Sequence, residues 1–330
     1  MKELIPVMHC FDNNYVIPAA VSFYSMLLNA DKTKRYKLLV LHDNITEANQ
    51  KRLAELVSRF NNASIDFIDT KGKFSDLYNA LPGTAFSKEI FYKFLPPVLF
   101  PEYDKIIITD VDVIFCGDIS VEYNRFDIYG NDKKCYLAGN ARHFETYKLD
   151  GETDSRYQRE VLAGYWIFNL NKMREDNMYE KFVDYAWKNV KTLRNPEQEV
   201  VNYCCYPDIK ILPPNTIVSA LSYGMNLYEN DEFLNSLFQT AKKNPLQIHF
   251  SESRGKAWNK VNTPKWYLWL TYLKETSFFE DYILNMQRAI ELYDASKKII
   301  RIKIPFRERR LSVFWTGLKA VRKTKMLRTK

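Results

Sequence analysis

Apolar and polar positions in the first seventy residues follow two alternating periods. Ile5–Cys10, Tyr36–His42 and Ser64–Asp69 are apolar runs of strand length, while Ile17–Leu28 and Thr46–Phe60 carry apolar side chains at helical spacing. Strand, helix, strand, helix, strand predicts a parallel sheet joined by right-handed crossovers. Further along, the pattern predicts a helix over Ser87–Leu95, with Lys93 inside it either solvated or facing a phosphate. An irregular or short helical connection follows at Asp118–Ile128, and strands at Tyr136–Gly139, Tyr165–Leu170 and Leu246–Phe250. One helix is expected over Asn171–Lys191, and another from Pro196 to about Tyr206, where a first-turn proline and neighbouring acids are good start chemistry. The polar stretch Asn140–Arg159 reads as a long loop, and loops of that length in compact domains tend to serve function or motion. Trp258, Trp266, Tyr267, Trp269 and Tyr272 form an aromatic helix suited to core packing.

The composition is globular, with 46% hydrophobic residues in 330, enough chain for one large α/β domain with additions or for two small domains. The net charge of +8 is a property of the tail. Between residues 297 and 330, thirteen Lys and Arg stand against the single acid Glu308, so that segment carries +12 and the body −4. A body of that charge offers no continuous basic face for nucleic acid. Leu311, Phe314, Trp315, Leu318 and Val321 fall on one helical face of the tail, with Lys319, Arg322, Lys323 and Lys325 on the polar side. That pattern suits a helix lying on an anionic membrane surface. The five cysteines form no C-x-x-C pair, and the odd number argues for reduced thiols in a cytosolic protein. The expected localisation is cytoplasmic, peripherally associated with the inner face of the cell membrane. No stretch has the apolar length of a spanning helix.

The chemistry concentrates at Lys105–Phe115. Three isoleucines run as a buried strand should, and then Asp110 and Asp112 stand two residues apart. Alternation along a strand would aim both carboxylates to one side, with Val111 and Val113 facing apolar packing. Two such charges repel unless a cation compensates, and a hard divalent ion bridging to phosphate oxygens fits. Upstream, Asp12-Asn13-Asn14-Tyr15 ends the first strand, where α/β folds tend to bind nucleotides. It suits a base and a ribose, or an Asx-type turn capping the next helix. There is no G-x-G-x-x-G and no P-loop. Downstream, Gly255-Lys256 follows His249, a combination that lets backbone and charge approach a phosphate.

These separated pieces, in order, resemble glycosyltransferase family 8, the retaining nucleotide-sugar transferases that include glycogenin and bacterial lipopolysaccharide galactosyl- and glucosyltransferases. The resemblance covers about residues 4 to 275: Asp12 to Tyr15, the DxD strand, Ala163-Gly164 ahead of Ile167 to Leu170, Glu197-Gln198-Glu199, and His249 to Trp258. It implies an α/β GT-A fold, a Rossmann-like, mostly parallel nucleotide-binding sheet flanked by helices. That domain would span 1–275, with 276–330 a helical extension and basic tail. It also implies a UDP-hexose donor, a cell-surface glycan or glycolipid acceptor, and manganese, with magnesium as the alternative, on Asp110, Asp112 and His249. Asp12, Asn14 and Tyr15 would take the uridine, Gly255 and Lys256 the diphosphate, and Gln198 the region of the anomeric carbon. Lys93 and Glu197 join the expected substrate contacts. Three departures stand out: Leu162 replaces the family's Asn, Arg142 lies where an acid is expected, and the His249–Lys256 segment is one residue longer. Arg142 could offset Leu162 by donating to an acidic or phosphorylated acceptor. Two other readings remain, a degenerate sugar-nucleotide-binding protein and a metal-dependent phosphohydrolase, the latter requiring a second acidic or histidine cluster.

Overall fold

The computed structural model describes residues 2–83, 86–148, 155–251 and 255–303, the last eleven of these as backbone alone. Ten strands occur among them: β1 (Leu4–Cys10), β2 (Arg35–His42), β3 (Ala63–Asp69), β4 (Lys105–Thr109), β5 (Val113–Phe115), β6 (Leu137–Ala141), β7 (Val161–Asn169), β8 (Ile209–Leu212), β9 (Ile217–Ser219) and β10 (Gln247–His249). Seven form one sheet in the order β3-β2-β1-β4-β7-β6-β8, and three form a second in the order β5-β10-β9. β1, β2, β3 and β4 are parallel, as the strand-helix order predicts. β7 runs against both β4 and β6, which makes the large sheet mostly rather than wholly parallel, as the resemblance implies.

The antiparallel β7 decides which groups share an edge. Thr109 at the carboxyl end of β4 pairs with Tyr165, and Val161 at the amino end of β7 pairs with Ala141 at the carboxyl end of β6. The ends of β1 and β4, the start of β7 and the end of β6 therefore meet on one side. A sheet this apolar is buried on both faces: Ile106, Ile107 and Ile108 are inaccessible, as are Trp166, Ile167 and Phe168.

Several expectations change in detail. Ser87–Leu95 is a 3-10 turn over Lys88–Phe94 rather than an α-helix. The helix expected over Asn171–Lys191 is two, Leu170–Glu175 and Met178–Asn189, broken where Asn177 takes φ 51°, a left-handed conformation that asparagine tolerates better than most residues. The long loop after β6 contains two 3-10 turns, Phe144–Lys148 and Arg156–Arg159. Its central residues, 149–154, lie outside the described residues, as do 252–254 before Gly255 and the whole amphipathic segment from 304 onward. The chain divides into two compact units, Met1–Ser277 and Phe278–Lys330, and the second contains the helix Phe279–Lys303. No described helix is long and apolar enough to cross a membrane.

Candidate functional site

Asp110 and Asp112 do converge, but not by strand alternation. β4 stops at Thr109, and the chain bends through Asp110–Asp112 before β5 starts in the other sheet. The junction is held by Thr109 Oγ1 donating to the Gly164 carbonyl at 3.0 Å, and by Phe250 N–H donating to the Asp112 carbonyl at 2.8 Å. Because β10 pairs His249 with Val113, the imidazole arrives beside Asp112. Gly164 makes the room. A β-carbon there would sit 2.7 Å from His249 Nδ1, a distance no side chain tolerates. Ligand atoms of Asp110, Asp112 and His249 lie within 4.8 Å of one another.

Two lysines balance the acids. His249 Nε2 is 2.9 Å from Asp112 Oδ1 and 3.6 Å from Asp110 Oδ2, while Lys256 Nζ donates to Asp112 Oδ2. Burial alone would raise the Asp112 carboxyl, but His249 and Lys256 more than offset it and hold it well below the usual carboxylate range. Two carboxylates and one imidazole offer the oxygen and nitrogen donors that fit a hard or borderline divalent ion.

Lys93 corrects the expectation of a solvated side chain. Its ammonium is buried, donates to Asp110 Oδ1 at 2.7 Å and to the Ala163 carbonyl at 3.2 Å, and lies 3.7 Å from Glu197. Burial works against its charge, yet Asp110 and Glu197 raise its pKa above the ordinary lysine value. Glu197 is raised too, by burial first and then by Asp110 against the pull of Lys93, and its Oε2 has no hydrogen-bond partner. One cation thus stands between the buried Glu197 and the half-buried Asp110, both facing whatever binds there.

The helix Pro196–Cys205 lies along the start of β7. Gln198 Oε1 accepts from Ala163 N–H at 2.9 Å, and Asn202 closes a two-way bond with the Val161 backbone. A backbone N–H can only donate, so the Gln198 oxygen is the end turned to Ala163, where one of its two lone pairs is used.

At the end of β1, Asp12 realises the Asx-type reading. Its two carboxylate oxygens accept from the backbone and side-chain nitrogens of Asn14, both at 2.9 Å. Asp12 also lines a cleft with Asp43, Asn44, Ser75 and Lys88, so capping and ligand binding are compatible. Tyr15 meets Trp258 edge to face at 5.4 Å, and the Lys256 ammonium stands over both rings. Trp258 thus belongs to the site and not to an aromatic core helix, which runs only from Trp266 to Leu273. Its position two residues after Lys256 was the available signal. Gly255 is buried beside it.

On the far side, Arg142 is not a free cation: its guanidinium donates to Glu160 at 2.8 Å. Leu162 is half-buried on β7. Sequence reasoning passed over His9. This inaccessible β1 residue bonds through Nδ1 to the Thr109 carbonyl at 3.2 Å, and burial pushes its pKa down to about 3 against that hydrogen bond. A lone apolar-strand histidine carries no pattern that would have revealed a partner a hundred residues away.

Comparison with known proteins places the chain. The family model described as Glycosyl transferase family 8 matches residues 6–262. General stress protein A of Bacillus subtilis (strain 168) is 24% identical over 264 residues, 78% of this chain and 88% of that protein. Among solved structures, the apo form of the bifunctional glycosyltransferase WbbM superposes with a TM-score of 0.69 at 20% identity, over 86% of this chain and 52% of WbbM, so the chain spans about half of that protein. The galactosyltransferase LgtC, in complex with donor and acceptor sugar analogs, gives a TM-score of 0.64 at 17% identity, over 83% of this chain and 96% of LgtC.

Proposed function

Because the chain belongs to glycosyltransferase family 8 and is a glycosyltransferase, we propose that it moves a hexose from UDP-galactose or UDP-glucose, with retention, to a cell-surface glycan such as lipopolysaccharide or capsular polysaccharide. The observation that carries this reading is the convergence of Asp110, Asp112 and His249 next to Lys256 and the Tyr15–Trp258 ring pair. Such a group can accept a metal-bound diphosphate on one side and a nucleoside on the other.

Asp110, Asp112 and His249 would hold manganese, or magnesium in its place, and a bound ion there supplies charge neutralisation for a leaving diphosphate. Lys256 adds a fixed positive charge at the same place, and with Gly255 it forms the approach for phosphate oxygens. Asp12 and Asn14 offer a carboxylate and an amide to the uridine, and Tyr15 a ring. The carboxylates of Asp110 and Glu197 favour a sugar that becomes positively charged as its bond to UDP breaks. Gln198 contributes its amide nitrogen to that sugar. A neutral amide is a poor nucleophile, which favours attack by the acceptor hydroxyl on the face the diphosphate leaves.

Thermal-shift screening of UDP-sugars with manganese, followed by NMR of the product anomer, tests this. A hexose donor stabilising the protein and a retained configuration are expected; an inverted product would end the mechanistic reading. A non-catalytic sugar-nucleotide-binding protein is the second reading, favoured by Leu162, which cannot hydrogen-bond a sugar hydroxyl. A phosphohydrolase is less well supported, since the described residues hold one metal-ligating cluster and not the pair it would need.

The basic tail belongs to the same proposal: net charge and apolar spacing in residues 297–330 support binding to an anionic membrane at the inner face of the cell membrane. Sedimentation with anionic liposomes at low salt is expected for the full chain and lost in one ending at Ser296.

A further inference from the structure

The connection from β6 to β7 crosses the same sheet edge as the metal-ligating cluster, yet the reading above leaves its aromatic groups without a task. Its two ends are close together: Ala141 pairs with Val161, and Arg142 N–H donates to the Glu160 carbonyl at 2.8 Å. Ala163, which Gln198 holds, follows three residues after Glu160. Within the connection the Tyr157 ring lies flat on the His143 imidazole, with centroids 3.6 Å apart and planes 19° from parallel. Tyr157 nevertheless remains 59% exposed.

Its backbone is firmly fixed. Ser155 and Gln158 form a reciprocal capping box around the turn, and Thr146 Oγ1 donates to the Gln158 carbonyl at 3.1 Å. Arg156 stacks 4.0 Å above the Tyr203 ring, and Arg159 donates to the Ile209 carbonyl at 3.2 Å. Restraining an exposed ring costs side-chain entropy. That same restraint lowers the ordering cost for a ligand that later lies on the ring.

We propose that Tyr157, braced by His143, is a stacking platform for the acceptor oligosaccharide, an inference that rests on the glycosyltransferase reading. The flat face of a pyranose presents C–H groups of slight positive charge, complementary to the negative face of an aromatic ring. The adjoining Arg142–Glu160 pair supplies donors and acceptors for hydroxyls while cancelling its own charge, which suits a neutral sugar better than a nucleotide or a polyanion. The reacting sugar is assigned to Asp110 and Gln198; Arg142 and Glu160 close the sheet edge that carries Ala163, and Tyr157 lies three residues outside that closure in the connection. The platform therefore takes a sugar further back along the acceptor chain and sets preference for acceptor length.

The test uses the full chain as wild type, Tyr157→Ala and Tyr157→Phe. Two quantities are measured: binding to an array of neutral mono- to hexasaccharides, and UDP release from UDP-galactose and UDP-glucose without acceptor. The alanine variant is expected to bind the preferred oligosaccharide about tenfold more weakly, with phenylalanine within about twofold of wild type, as stacking on a ring face requires. Monosaccharide binding and UDP release should be unchanged. Equal oligosaccharide binding by wild type and Tyr157→Ala, no array binding by wild type, equal losses at every sugar length, or a parallel loss of UDP release would each overturn the proposal. If wild type releases no UDP from either donor, the glycosyltransfer reading fails instead, while any Tyr157-dependent oligosaccharide binding stands apart from it.

Discussion

The two sides of the carboxyl edge are built differently. On the side proposed for the donor each charged group answers at least one other: Asp110 to Lys93 and His249, Asp112 to His249 and Lys256, and Lys256 to two rings as well. On the side proposed for the acceptor the charges are fewer and nearer to solvent: Glu160 faces Arg142 and His143, Leu162 presents carbon, and Tyr157 is 59% exposed. Buried opposite charges tolerate little change, because removing one partner strands another in a low-dielectric setting. A half-exposed rim loses only the contact removed. Substitutions should therefore cost chemistry and stability on the donor side, and selectivity on the acceptor side.

The largest effect should come from Asp112→Asn, which keeps the shape but removes the charge that His249 and Lys256 face. Transfer should fall by roughly a thousandfold, in line with loss of an electrostatic group acting on the leaving charge, while circular dichroism stays native. Next is Lys93→Met. It leaves Asp110 and Glu197 without their shared cation and should cost about 3 to 5 kcal/mol in a denaturant melt; a loss near zero would mean the corner is solvated after all. Smaller still is an acid sensitivity from His9. Its folded pKa of about 3 lies below the ordinary value of 6.5, so its contribution to stability is present above pH 6.5 and is lost as pH falls from there toward 3. The slope is up to about 1.4 kcal/mol per pH unit, and His9→Gln should flatten it; an unchanged slope would put the acid sensitivity elsewhere. The smallest change should be Leu162→Asn, expected to alter hexose preference by about tenfold through one regained hydrogen bond. Equal UDP affinity in wild type and variant would keep that effect on the sugar side, and a shifted UDP affinity would break the division between the two regions.

The donor side was also the more legible in the sequence. A triplet of isoleucines running into two aspartates, and a Gly-Lys after a late histidine, are local patterns with direct physical meanings. Even there, alternation gave the right convergence for the wrong reason, because a bend between two sheets cannot be read from a single strand. Lys93 was misplaced since a lysine in a short helical pattern is ordinarily solvated, and its two acid partners lie seventeen and 104 residues downstream. β8 and β9 escaped notice because four- and three-residue strands carry too few positions for a period. The acceptor side depends on long-range neighbours: the Arg142–Glu160 pair and the His143–Tyr157 stack follow from β6 and β7 closing on each other, which no local pattern announces.

The account rests on metal-dependent capture of the nucleotide by Asp110, Asp112 and His249. Calorimetric titration of UDP into wild type and Asp112→Asn, each with manganese and with excess chelator, tests it most directly. Manganese should tighten UDP binding to wild type by about tenfold or more, equivalent to about 1.4 kcal/mol, and leave the variant near its chelated value. Equal affinity for UDP in wild type with and without the metal would contradict the account.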